Sequence, residues 1–240
     1  MARRGLTLLE LLVVMAMIAI LAGLVTAAAI GARRKANAAQ CASNLRQLGV
    51  GMLLYAGDHR GLVLRAPGFL SADLPSDGAG RYHYMSWAEA CARYFDSRWG
   101  QKRYGLEAFP LTKCPEHPLQ QMETHFAVNA VSLDDSLQPT RTLKKVSVLS
   151  QVRNPSGVIY LADVVDRWVP MNWYSVPPDY IPKIGSLMVY SALQMPDGVY
   201  PMIPTDRHGK GLVNGLFFDG HVEAVSTKGM TLKLWDDGIR

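Results

Sequence analysis

The sequence lacks the local signatures of the common catalytic sites. Its 240 residues contain no Gly-x-Ser-x-Gly elbow, no phosphate-binding loop and no Gly-x-Gly-x-x-Gly fingerprint, so neither a hydrolase nucleophile nor a nucleotide cradle is indicated. No enzymatic activity is expected. Cysteine is scarce: Cys41, Cys91 and Cys114 are an odd number spread over distant segments, which excludes a small disulfide-stapled scaffold and allows one bridge at most. Charge of one sign is also weak. The formal charge of +5 falls to +3 when the amino-terminal Arg3 and Arg4 are set aside, too little to argue for nucleic acid. No repeat of fixed period and no low-complexity segment occurs, which removes solenoids and arrays. With 49% hydrophobic residues, a chain of this length can bury a substantial core, so one ordered globular part is expected.

What the chain does have is one long apolar run. Residues 11–30 carry no charge, and only Gly23 and Thr26 interrupt them. At about 1.5 Å per residue they span roughly 30 Å, the hydrocarbon thickness of a bilayer. A cleaved secretory signal would have a shorter apolar core followed by a small-x-small site, so the run reads as a single transmembrane helix. Two details complicate that reading. Glu10 lies between Leu8-Leu9 and Leu11-Leu12, where an ionised carboxylate costs on the order of 2.5–3.5 kcal/mol near mid-bilayer and calls for a partner. Beyond the run, Arg33, Arg34 and Lys35 outnumber Arg3 and Arg4 before it, which by charge alone favours the opposite orientation.

The segment Arg3-Arg4-Gly5-Leu6-Thr7-Leu8-Leu9-Glu10-Leu11-Leu12 resembles the class III leader of type IV pilins and type II secretion pseudopilins. The resemblance implies that prepilin peptidase cuts after Gly5 and methylates the new amino terminus at Leu6, which makes residues 1–5 a leader and puts Glu10 at the fifth mature position. It also implies assembly: Glu10 of an incoming subunit pairs with the Leu6 amine of its neighbour. The physical chemistry agrees, since an α-amine with a reference pKa near 7.7–8.0 is largely cationic at neutral pH and can neutralise a carboxylate in apolar surroundings.

Past the membrane segment the pattern becomes one-sided. Cys41, Leu45, Leu48, Met52 and Tyr55 recur at spacings of three and four, with Asn37, Gln40, Asn44 and Arg46 elsewhere around the helix. One helix from about Leu6 to Tyr55 is expected, membrane-spanning over 6–30 and amphipathic over 31–57. Gly49 and Gly51 weaken it by roughly 1 kcal/mol each relative to alanine, and residues 57–61 (Gly-Asp-His-Arg-Gly) stop it. Residues 58–240 then read as a globular domain of short strands and loops with a helix around residues 87–95. The predicted class is α+β: a long amino-terminal helix packed on a carboxy-terminal domain with an antiparallel sheet. Strands are expected at residues 157–162 and in a hairpin with arms 212–218 and 221–225. Asp219-Gly220 is the predicted structural turn, a two-residue connection because both residues tolerate positive φ. That register puts Phe217 opposite Val222 and Gly215 opposite Ala224 on one apolar face, with Leu216 and Phe218 on the other.

The same segments extend the resemblance. Cys41 with Asn44-Leu45-Arg46-Gln47-Leu48, Lys113-Cys114-Pro115, Asn154-Pro155-Ser156-Gly157, and Arg207-His208-Gly209 followed by Asp219-Gly220 are similar to a pseudopilin-like group common in planctomycete and verrucomicrobial bacteria, which has a histidine ahead of a terminal Asp-Gly. Here ten residues separate His208 from Asp219, one more than the group's usual spacing.

Other candidate sites are weaker. Cys114, Glu116, His117 and His125 lack a second ligand pair at finger-like spacing, so no metal site is expected from them. Some major pseudopilins bind calcium near the carboxyl end, which leaves calcium open for Asp163, Asp166, Asp206 and Asp219, although these are not spaced as one oxygen-ligand loop. Cys41 and Cys114 can meet if the Cys114 loop crosses the first helix, while Cys91 reads as a small core residue. Between Asp163 and Arg207 lie seven of the fourteen prolines together with Trp168, Trp173, Tyr174 and Tyr180, an irregular insertion or a partner surface. The expected function is that of a structural pseudopilin in the inner membrane, single-pass, with its domain in the periplasm. Its partners are prepilin peptidase, other pseudopilin subunits and the inner-membrane assembly platform. A type IV pilus subunit for adhesion or DNA uptake, and a membrane-tethered carbohydrate- or peptide-binding module, are the competing readings.

Overall fold

A computed structural model describes residues 7–65, 69–70, 84–85, 87–95, 109–118, 120, 124–129, 146–164, 207–209, 211–227 and 234–239. The predicted cleavage site at Gly5 and Leu6, the aromatic insertion and its Asp166 and Asp206 lie outside the described residues. The layout is α+β, with the long amino-terminal helix α1 (Leu8–Asp58) running into a domain built on antiparallel strands. Thr7 starts α1 through a capping box: its hydroxyl accepts from the Glu10 N–H at 3.3 Å, and Glu10 Oε2 accepts from the Thr7 N–H at 2.9 Å. The helix ends where Arg60 and Gly61 both take positive φ, 55° and 80°, and the Gly61 N–H returns to the Ala56 carbonyl at 2.7 Å.

Along the chain follow β1 (Leu62–Leu64), β2 (Phe69–Leu70), β3 (Tyr84–Met85), α2 (Trp87–Ala92), β4 (Phe126–Val128), β5 (Val146–Val148), β6 (Ile159–Asp163), β7 (Leu212–Phe217) and β8 (Val222–Ser226). Among the described residues β1 pairs with β5, β2 with β3, and a four-stranded sheet runs β4-β6-β7-β8, all antiparallel. Both faces of that sheet are covered. On one side Leu161, Leu216 and Phe218 join Cys41, Leu45, Leu48 and Met52 of α1 and Trp87 and Cys91 of α2 in the main core. On the other, Ala127, Ile159, Ala162, Val213 and Phe217 pack around Trp235.

The hairpin register differs from the sequence expectation by one residue. Leu216, not Phe217, faces Val222, and Gly215 faces Glu223. The connection is a three-residue loop: the Phe217 N–H donates to His221 O at 2.9 Å, the Gly220 N–H closes a turn onto Phe217 O at 3.0 Å, and Gly220 sits at φ 91°. The physical reason is burial. This register puts Val222 beside Leu216 on the α1 side and Val225 beside Val213 on the other, whereas a slip by one would move each β8 side chain to the opposite face.

A bulge in β6 has a second consequence. Ile159 pairs with Phe217 but Leu161 pairs with Leu216, so Tyr160 is the extra residue. Tyr160 and Leu161 therefore share the α1 face, Ala162 takes the other, and Asp163 returns to the α1 side.

Candidate functional site

Two places on the molecule concentrate chemistry. The first is the start of α1. There the Glu10 carboxylate accepts from the Thr7 N–H and the Thr7 hydroxyl, each at 2.9 Å. It is exposed, as are the apolar side chains that follow: Leu12 is 69% exposed, Ile20 65% and Leu24 66%. An 18-residue window of this helix has mean hydropathy 2.8, and none of it is buried in the protein. By length and composition, α1 can cross a membrane.

The second place is a buried cluster that no local sequence pattern marks. Cys41 from α1, Cys114 from the turn after the 3-10 helix Pro110–Thr112, Asp163 from the end of β6 and His208 from the loop before β7 converge there. Their donor atoms all lie within 4.8 Å of one another. Cys41 Sγ donates to Asp163 Oδ1 at 3.5 Å, His208 Nε2 lies 3.1 Å from Asp163 Oδ2 and 3.6 Å from Cys114 Sγ, and the Asn214 N–H donates to Asp163 Oδ2 at 2.7 Å. The two cysteines and the aspartate are fully buried, and the His208 side chain is 3% exposed.

Each donor is held from outside the cluster. The Asn44 amide, one helical turn past Cys41, donates to the Lys113 carbonyl at 2.8 Å, and Asn37 donates to Glu116 Oε1, so α1 grips the Cys114 turn from both sides. The Arg207 guanidinium donates to the carbonyls of Val164 and Glu116 and pins the His208 loop between the other two strands of chain. Gly209 and Gly211, at φ 104° and 76°, let that loop turn into β7.

The electrostatics follow from the crowding. The hydrogen bond from Cys41 lowers the Cys114 thiol, against burial and with help from His208, to about 6. Burial and the bond to Cys114 push Cys41 the other way, well up. Burial by itself would lower His208, but Asp163 and Cys114 outweigh it and raise the imidazole to about 9. Cysteine, histidine and aspartate together suggest a nucleophile triad, yet the geometry is not a proton relay. A relay needs the imidazole to bridge its partners with different nitrogens. Here Asp163 and Cys114 both face Nε2, and Nδ1 has no hydrogen-bond partner among the described residues.

The remaining sequence candidates are placed as follows. Of the Cys114, Glu116, His117 and His125 set only Cys114 enters the cluster. His117 and His125 stack at 4.1 Å, and burial together with His117 lowers His125 to about 3. Asp219 Oδ1 accepts from the His221 N–H at 3.1 Å and meets His221 Nδ1 at 2.6 Å, at the turn and away from Asp163. Cys91 is buried in the main core.

Sequence reasoning also missed Arg65, which is fully buried. Its guanidinium pairs with Asp237, donates to Ser147 Oγ at 3.1 Å and to Asn129 Oδ1 at 2.6 Å, and lies 5.4 Å over the Phe218 ring. Burial lowers it to about 10 against the pull of Asp237. This network ties the carboxy-terminal segment to β1, β4 and β5, and nothing local in the sequence signals it.

No curated protein and no solved structure matches this chain. Residues 1–26 match the family model described as the prokaryotic N-terminal methylation motif, which supports a type IV pilin-like substrate of prepilin peptidase.

Proposed function

We propose that the chain is a pseudopilin, a non-enzymatic subunit of a type II secretion-like filament. In this reading it is cut after Gly5, N-methylated on Leu6 and held in the inner membrane with its domain in the periplasm. The observation that carries the reading is a methylation motif at residues 1–26 joined to a helix whose apolar half is bare. An uncovered apolar surface of this length calls for lipid or for like helices of other subunits. The one acidic residue of that half, Glu10, stands at its start. In the isolated chain it is satisfied by Thr7; in a filament the methylated amine of a neighbour is its proposed partner.

Intact-mass measurement on native protein should find a chain that begins with methylated Leu6, and retention of residues 1–5 would refute the processing. Glu10→Ala should leave the protein cleaved and membrane-bound but poorly incorporated into filaments, and normal incorporation would refute the pairing. Deleting the gene should stop export of a folded cargo while surface pili persist. Loss of pili with export intact would assign the chain to a pilus instead.

A further inference from the structure

We propose that Cys41, Cys114, Asp163 and His208 form a structural metal site for zinc, which fastens α1 to the globular domain. The donor set is the first argument. Two sulfurs, one imidazole nitrogen and one carboxylate oxygen are the ligand types of a closed four-coordinate zinc site, and thiolates select against calcium and magnesium.

The geometry is the second. Zinc bonds of about 2.3 Å to sulfur and about 2.0–2.1 Å to nitrogen and oxygen, set tetrahedrally, put neighbouring ligands about 3.5 Å apart for sulfur with nitrogen or oxygen and about 3.3 Å for nitrogen with oxygen. The observed separations are 3.5 Å for Cys41 Sγ to Asp163 Oδ1, 3.6 Å for Cys114 Sγ to His208 Nε2 and 3.1 Å for His208 Nε2 to Asp163 Oδ2, and one ligand atom from each of the four residues lies within 4.8 Å of the others. A single nitrogen faces both the carboxylate and the second sulfur, a convergence that one central ion accommodates once either Asp163 oxygen turns to it.

The surroundings fit as well. The Asn214 N–H orients the carboxylate, as outer partners of metal ligands do. With two thiolates, a carboxylate and a neutral imidazole, the zinc complex carries one net negative charge. Arg207, bonded to the carbonyl next to Asp163 and to that of Glu116, supplies a nearby cation. Burial of all four donors leaves no open coordination position for a substrate, so the site is structural and not catalytic. It also gives separate tasks to the two parts of the His208 to Asp219-Gly220 segment: the histidine is a ligand, and the Asp-Gly pair is a turn.

The test uses the full-length chain, purified in detergent with reductant and without chelator. Elemental mass spectrometry should find about one zinc per chain, as a four-ligand site binds one ion. After metal removal, Co2+ should bind with equal stoichiometry, show visible ligand-field bands and a thiolate-to-cobalt charge-transfer band, and be displaced by Zn2+. Cys114→Ser should abolish the charge-transfer band or shift it, and His208→Gln should weaken Co2+ binding at least tenfold. Because either variant can misfold, the wild-type measurements decide. Reduced wild-type protein that holds no zinc and takes up no Co2+ overturns the proposal. So does native protein whose mass and peptide map show a Cys41–Cys114 disulfide.

Discussion

The two halves of α1 belong to one unbroken helix of 51 residues, yet they solve opposite problems. Over the first half, apolar side chains point in every direction and stay bare, with Leu8 at 87% and Leu21 at 62% exposure. In the second half one apolar stripe, Cys41, Leu45, Leu48, Met52 and Tyr55, is buried against the sheet and α2, while Val50 and Leu54 off the stripe stay exposed. The polar residues beside that stripe are used too, since Asn37 and Asn44 hold the Cys114 turn. Hydrophobicity by itself therefore does not identify a helix's surroundings; the period does. An apolar residue at every angle requires an apolar medium all round, whereas a stripe requires one packed neighbour.

The glycines sharpen the contrast. A Cβ at Gly23 or Gly31 would meet nothing within 4 Å, but at Gly49 it would come within 2.8 Å of Leu216 Cδ1, and at Gly51 within 2.9 Å of Phe95. The cost that glycine imposes on helix propensity is thus offset in the second half by close approach to the domain.

Substitutions that separate the halves should show it, all read as thermal unfolding of the full chain in detergent. The largest effect is expected for Leu45→Ala, a loss of about 2–5 kcal/mol from a well-packed core. Leu21→Ala should stay within about 0.5 kcal/mol; an equal loss at both positions would erase the distinction. Next comes Gly49→Ala, expected to cost about 1–3 kcal/mol through overpacking, while Gly23→Ala should stabilise the helix by up to about 1 kcal/mol. A stabilised Gly49→Ala protein would mean that α1 does not lie tight on β7. At the hairpin, Gly220→Val should cost more than about 1 kcal/mol, because φ is positive and a Cβ would come within 3.0 Å of Leu53 on α1. Asp219→Asn should be the smallest change, within about 0.5 kcal/mol, since asparagine suits the same turn and the partly exposed pair with His221 contributes little. A large loss at Asp219 would give this turn a role beyond chain reversal.

Much of the fold was legible before the structure. The long helix, its buried stripe from Cys41 to Tyr55, the stop before Gly61, α2, and strands near β6 and the β7–β8 hairpin all follow from runs, periods and turn residues. The hairpin register did not follow, because Asp-Gly with positive φ serves a two-residue turn and a three-residue loop with a glycine bulge equally well. What chooses between them is which side chains α1 covers. Asp163 is a similar case: read as an alternating strand, residues 157–162 give no reason for it to face α1, and only the bulge at Tyr160 turns it inward.

The sequence by itself determined the membrane-capable helix, the N-terminal methylation motif and the α+β layout, since each rests on neighbours within a few turns of chain. Only the tertiary structure decided the register of β7 on β8, the Arg65–Asp237 pair and the meeting of Cys41, Cys114, Asp163 and His208. The last two join residues tens to more than a hundred positions apart, a distance that no local period encodes, whereas the register is local in the chain but depends on which face α1 covers. The four-residue cluster also depends on how α1 packs, with Gly49 close against Leu216 of β7 and Gly51 close against Cys91 of α2.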